Sequence, residues 1–321
     1  MWHGRRRLAA LVAVILVSAC GGSPDDAGVP VTAAVPTPGL PTSYAGPDGV
    51  TSTVESAARI VSLSGDYSEI VWELGLAENL VGVDLSSDHP PEVMAPKPKI
   101  GVEFRLFAEP ILDLDPTVVI GDVDARPPEV IEQVRGAGVP VVITPRFVGV
   151  DAPAEKIRVV GEVLGVEGPA DQLAARVQAE IDAALAPVAE AETRPAVAVV
   201  YVATEDQILL LADDTVFEGL LEAVGARNVG PAAGNEAFVP LSAEAVVAAA
   251  PEVIITAERG FERLGGLEGF LELPGLAQTP AGREGRVLVY EDSLLLSLGP
   301  RTGELLERLV ADLHPELASG T

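Results

Sequence analysis

Two segments of this 321-residue chain repeat one another at a fixed interval, and that repeat restricts the fold more than any other feature. Ala108-Glu109-Pro110-Ile111-Leu112, followed by Pro116-Thr117-Val118-Val119-Ile120, matches Ala243-Glu244-Ala245-Val246-Val247, followed by Pro251-Glu252-Val253-Ile254-Ile255. Glu109 and Glu244 lie 135 residues apart, and so do Pro116 and Pro251. Each copy reads as a short helix, a proline that cannot continue it, and an apolar run suited to a strand covered on both faces. Two ordinary helix–strand units meeting by coincidence is the alternative. Two pseudo-equivalent lobes account for the interval better.

The flanking pattern supports two lobes. Arg59-Ile60-Val61-Ser62-Leu63 reads as a buried strand, Ser64-Gly65-Asp66 as a turn, and Ser68 to Gly75 as a helix stopped by glycine. Val81 to Asp84, Pro116 to Ile120 and Val139 to Ile143 supply three more strands. The second half gives a strand from Ala196 to Tyr201, a helix from Thr215 to Val224 closed by Gly225, and a strand at Val253-Ile254-Ile255. Strands alternating with helices predict an α/β protein of two Rossmann-like lobes with parallel sheets. Between them, 154–164 and 170–191 read as helices, the second with Leu173, Val177, Ile181 and Leu185 in one apolar stripe. A helix of about 20 residues spans roughly 30 Å. It suits a long connector between lobes, or a surface helix of one of them. The expected division is an N-terminal lobe over 57–150, a helical connector over 151–193, a C-terminal lobe over 194–315 and a tail over 316–321.

Composition removes several function classes. Acidic residues outnumber basic ones 48 to 21, a net charge of −27 that repels phosphate backbones and argues against nucleic acid as a partner. One cysteine allows neither an internal disulfide nor a zinc-thiolate cluster, and three histidines leave little for a histidine-rich metal site.

The first twenty residues bear on compartment. Arg5, Arg6 and Arg7 precede a short apolar run from Leu8 to Val17, too short for a membrane-spanning helix but suited to a secretory signal over 1–19. Val17-Ser18-Ala19-Cys20 resembles the bacterial lipobox, which implies lipidation at Cys20 and a protein held at the outer face of the cell membrane. A plain signal peptide with an incidental cysteine is the alternative. Six prolines between Pro24 and Pro47 suggest that residues 20–56 form a flexible tether without regular structure. Removing 1–19 deletes three arginines and no acids, leaving 18 basic residues against 48 acidic ones, a net charge of −30.

Several stretches together resemble the substrate-binding lipoproteins of ABC importers for iron–siderophores, cobalamin and haem, and most of all the haem-binding branch. They are Arg59 to Asp84, Glu109 to Gly121, Leu241 to Ile255, Leu264 to Gly269, Leu273 to Gly282 and Leu298-Gly299-Pro300-Arg301-Thr302. The resemblance implies a monomeric binder that captures a small-molecule ligand between its lobes, here haem or another metal chelate, with no intrinsic cofactor. It implies delivery to a permease dimer with its ATPase. One glutamate on each lobe pairs with permease arginines in that family, and the matching positions are Glu109 and Glu244. A glutamate favoured by a helix N-terminus is the plainer reading of each.

The ligand site departs from the resemblance. Haem binders of this kind hold iron through a tyrosine just after the Lys-Ile-Gly segment. Here Lys99-Ile100-Gly101 is followed by Val102, so the metal ligand is unknown, and Ile208-Leu209-Leu210-Leu211 in the second lobe offers none either. His89 in a loop after a strand, Tyr67 at a helix start and Glu103 as a hard oxygen donor are substitutes. Their bland readings are a solvated loop, a core cap and a surface carboxylate. Arg105, Arg126, Arg146, Arg259 and Arg301 are candidates for ligand carboxylates, Arg105 and Arg259 first because their loops fall in opposite lobes. The chain has no phosphate-binding loop, nucleophile elbow or His-Glu-x-x-His motif, so a non-enzymatic binder is expected. A cobalamin or ferric-siderophore binder, a surface scaffold or adhesion lipoprotein, and a binder that has lost its ligand stay open.

Overall fold

The structure, a computed structural model, describes residues 36–212, 216–231 and 238–317. The signal segment, Cys20 and the first part of the tether lie outside the described residues.

The first lobe is built on a four-stranded parallel sheet, ordered Leu80–Gly82, Ile60–Ser62, Val118–Asp122, Val141–Thr144. The last two strands start two residues later than their apolar runs do. Pro116 and Pro140 lack the N–H a ladder needs, and pairing runs on instead to Asp122 and Thr144. The second lobe carries a larger sheet in which Ala196–Thr204, Val253–Ala257 and Val287–Tyr290 pair in parallel. Gln207–Leu211 and Phe238–Pro240 extend it with antiparallel pairing. The parallel sheets of both lobes are as the alternation of strands and helices predicts, and the antiparallel edge is an addition to them.

Side chains alternate across each sheet, as the two-residue period requires. Ile60, Val118, Ile120 and Val142 face one cluster of buried residues, while Val61, Val119, Val141 and Ile143 face another. In the second lobe Val197, Val199, Val253 and Ile255 join the first of those clusters, and Ala198, Val200 and Ile254 form a third. One face of each sheet therefore packs into a single core shared by both lobes.

That shared core is filled by the helices Ala152–Leu164, Glu167–Leu185 and Thr302–Leu313. Leu173, Val177 and Ile181 are buried there, as their spacing predicts. Gly165, left-handed at φ 69°, reverses the chain between the first two helices. Gly161 lets them meet closely, since a Cβ there would lie 2.1 Å from that of Ala170. The chain passes from the first sheet to the second through these two helices, a packed strut instead of a flexible crossover.

Two expectations need correction. Residues 20–56 are not a featureless tether throughout, because Thr42–Ala45 and Thr51–Val54 form an antiparallel hairpin. Thr42 Oγ1 donates to the Val163 carbonyl at 2.7 Å, Ser52 Oγ donates to that of Val141 at 2.8 Å, and Val54 is buried. Gly46-Pro47-Asp48-Gly49 is the turn between two alternating runs, and the surrounding prolines obscure that pattern. Likewise Ser64-Gly65-Asp66 is not a separate turn. Ser64 is the N-cap of the Gly65–Val71 helix, which continues as a wider turn over Trp72–Leu76.

The repeat is structural as well as sequential. Ala108–Leu112 and Ala243–Ala249 are both helices, and each leads into a central strand of its sheet.

Candidate functional site

Ligands of α/β sheets sit beyond the carboxyl ends of the strands. In the first lobe those ends lead into Asp66, the 84–89 loop, Asp122 and Thr144. In the second they lead into Glu258-Arg259 and Glu291-Asp292. A cavity of about 350 Å³ opens there, lined by Asp88 and His89 on one side and by Arg259, Asp292 and Arg301 on the other. Its volume falls within the range of small-molecule sites.

Cross-lobe charge pairs bridge this space. The Arg259 guanidinium pairs with the Asp88 carboxylate and lies 3.6 Å from Asp292 Oδ1, while the Arg259 backbone N–H donates to Asp292 Oδ2 at 2.9 Å. Arg301 Nε donates to Glu69 Oε1 at 3.1 Å, and its Nη2 donates to Ser293 Oγ at 3.0 Å. Glu69 is only 3% exposed, and burial outweighs the Arg301 pairing, leaving its carboxyl pushed up to about 7.

His89 lies in this cavity wall, half-buried, with the Trp72 ring edge-on at 6.1 Å. Burial lowers its pKa, and Arg301 lowers it further, which favours the neutral imidazole.

Tyr67 does not reach the cleft. It is fully buried, its hydroxyl bonded to Thr144 Oγ1, with Lys156 Nζ 5.2 Å from the ring centroid. Lys156 forms a buried ion pair with Asp66. Tyr67 is a core residue beneath the site, the bland reading of a helix-start aromatic.

Glu103 also differs from a surface carboxylate. It occupies the turn of a small hairpin between Gly101–Val102 and Arg105–Leu106. Its Oε1 is buried without a hydrogen-bond partner among the described residues, and burial, then Asp122, push its carboxyl well up. A protonated acid is a poor hard-oxygen ligand. Asp122 is pushed up to about 6 by burial and by Asp66.

The same hairpin presents cations and an aromatic to solvent. Phe104 is 75% exposed, and Arg105 forms no ion pair or hydrogen bond through its side chain among the described residues. The Arg126 backbone N–H donates to the Glu103 carbonyl at 2.7 Å, and Leu106 N–H donates to that of Arg126 at 2.8 Å. This strap holds Arg126, exposed and with no side-chain partner among the described residues, beside the first arginine. Of the five candidate arginines, Arg146 pairs with Asp124, and Arg259 and Arg301 pair across the lobes. Among the described residues Arg105 therefore has no counter-ion, whereas Arg259 can meet a ligand only by exchanging partners. Val102 sits opposite Arg105 in the hairpin and carries no donor atom. Among the described residues no three His, Cys, Asp or Glu side chains gather as a metal cage.

Tyr201 is a polar residue whose surroundings the sequence pattern conceals. It lies within the apolar run of Ala196–Thr204, half-buried beside Phe238 at 5.8 Å between ring centroids. Its phenol is raised by burial and by Asp292, with Arg259 and Arg263 opposing, which places it among the charges of the second lobe's cleft face. Its one signal is polarity within a strand otherwise made of Ala, Val and a final Thr. The Ile208–Leu211 stretch is an antiparallel strand beside it.

Glu109 and Glu244 each lie in the first turn of their helices, exposed, with no ion pair among the described residues. Their helices are anchored alike, by fully buried Ile111 and Val246.

Two lobes with facing strand ends, a charged cleft and a rigid helical backing define a two-lobed ligand-binding protein. Residues 60–294 match the periplasmic binding protein family, and the chain belongs to it. The haem-binding protein RhuT from Roseiflexus sp. RS-1, solved in apo form, is 43% identical with a TM-score of 0.77, over 82% of this chain and 100% of that one. The ABC transporter substrate-binding lipoprotein YvrC of Bacillus subtilis is 25% identical over 80% of each chain. A cobalamin-binding protein of Halobacterium salinarum is 25% identical over 80% of this chain and 69% of its own.

Proposed function

We propose that this protein is the extracytoplasmic substrate-binding component of an ABC importer, lipid-anchored through Cys20 and acting as a monomer, which captures haem or a related metal chelate between its lobes. The observation that carries the reading is the likeness to a haem-binding protein over that protein's entire length. The cleft chemistry agrees with it. A metal chelate arrives with its metal already held, so it needs axial donors and not a protein cage. His89 from the first lobe supplies such a donor without a tyrosine at position 102. Arg105 and Arg126 offer guanidinium forks for acidic substituents, and Phe104 offers a face for a flat ring. Glu109 and Glu244 dock the loaded protein on its permease, one from each lobe.

Absorbance titration of the purified protein with hemin tests the ligand. A shifted, saturable Soret band is expected, reduced in His89→Ala. No shift, with tight binding of cobalamin instead, would overturn haem and favour the chemistry of the Halobacterium relative.

A further inference from the structure

The two docking segments share a backbone but differ at one position in a way that folding does not explain. Phe107 and Ser242 are the N-cap residues of the equivalent helices, both extended, at φ −134° and −110°. Ser242 accepts a hydrogen bond from the Ala245 backbone N–H at 3.3 Å through its hydroxyl, as a good N-cap does. Phe107 makes no side-chain cap. Its ring is not needed in the core either, since it is 52% exposed. Aromatic residues are enriched at interfaces, so a ring that forgoes the cap and stays exposed suits contact with another molecule. It stands two residues from Glu109, which is exposed and has no ion pair among the described residues.

We propose that Phe107 is an aromatic docking anchor for the permease. It seats in an apolar pocket beside the arginine or lysine that meets Glu109, on the permease's extracytoplasmic face. The occupant's chemistry follows from what the surface offers: a ring for burial next to a negative charge. Aromatic side chains centred in an interface commonly dominate its energy, and charges at the rim set register. The second lobe offers Ser242 beside Glu244 and a 37% exposed Val247 on the same helix, so the two contacts are alike in charge and only the first carries an aromatic ring. The first lobe then holds the permease more tightly than the second. This inference rests on the docking role proposed for Glu109 and Glu244.

The test measures binding of the full-length, ligand-loaded protein to its permease complex in nanodiscs, alongside ligand affinity and thermal stability. Phe107→Ser installs the cap its counterpart has. Permease affinity is expected to fall roughly tenfold or more, with ligand affinity unchanged and stability equal or higher. Phe107→Tyr, which keeps the ring, restores most of the affinity. Unchanged permease affinity in Phe107→Ser overturns the anchor, and so does a fall in ligand affinity, which would place the ring in the cleft. Glu109→Ala with Glu244→Ala in the same assay separates the two levels. If that pair leaves docking intact, the docking role itself fails. If it abolishes docking while Phe107→Ser does not, only the anchor fails.

Discussion

Arg259 and Asp88 are 171 positions apart in the chain, yet their side chains form an ion pair that closes the cleft from one lobe to the other. Arg259 is one of the cations that sequence reading offers to a ligand carboxylate. It is already engaged, half-exposed, and shared with Asp292. An incoming anion must compete with Asp88 for it.

Releasing that competitor is expected to change affinity more than stability. Asp88→Asn should tighten binding of a carboxylated chelate severalfold, and Arg259→Gln should weaken it. Neither should move stability by more than about 1 kcal/mol, because the pair is half-exposed. Hemin titration and urea unfolding of both variants check this, and weaker binding by Asp88→Asn would count against the competition.

The buried Lys156–Asp66 pair, 6% and 10% exposed, is expected to behave differently. Lys156→Met leaves the buried Asp66 carboxylate without its counter-charge, with Ser64 Oγ and the Tyr67 backbone N–H still donating to it, and should cost about 3 kcal/mol. Adding Asp66→Asn should recover most of that loss, as measured by denaturant midpoint at constant slope.

Stability should fall as pH rises from 5 to 8. The Glu69 carboxyl is at about 7 in the folded protein against an ordinary 4.5, so the native state holds more protons than the unfolded one between those values. Its contribution is present in full below about 4.5 and is lost as pH rises through about 7, on the order of 3 kcal/mol. Asp122, at about 6, acts in the same direction. Thermal unfolding across this range should show the decline, and Glu69→Gln should flatten it. An unaltered slope in that variant would assign the effect elsewhere.

Asp115 and Ala250 are the non-glycine residues with positive φ among the described residues, at 45° and 47°. Each stands immediately before the proline of its repeat, so both lobes hold the same left-handed turn. Ala250→Gly should stabilise by about 1 kcal/mol, and Asp115→Gly by less, since aspartate tolerates this conformation better than alanine. Thermal midpoints decide it, and a destabilised Ala250→Gly would contradict the strain.

Removing both rim carboxylates, Glu109→Ala with Glu244→Ala, should abolish uptake while leaving hemin affinity unchanged. A joint loss of affinity would place those residues in the pocket.

The sequence by itself determined the two-lobe plan, the helical strut and the family, because each is written in local periodicity or in segments repeated along the chain. Ile111 and Val246 are apolar at matching helix positions, and Leu173, Val177 and Ile181 share one stripe, so their burial was legible without coordinates. The 42–54 hairpin was not, because its support comes from carbonyls of Val141 and Val163 far along the chain. Only the tertiary structure decided the site. Tyr67 and Tyr201 each follow or lie in an apolar strand, yet one hydroxyl is sealed against Thr144 and the other stands among cleft charges. Glu103 and Glu109 are six residues apart, yet burial pushes the carboxyl of the first well up while the second lies exposed. Charge state and accessibility depend on which distant groups surround a side chain, and local sequence does not carry that information.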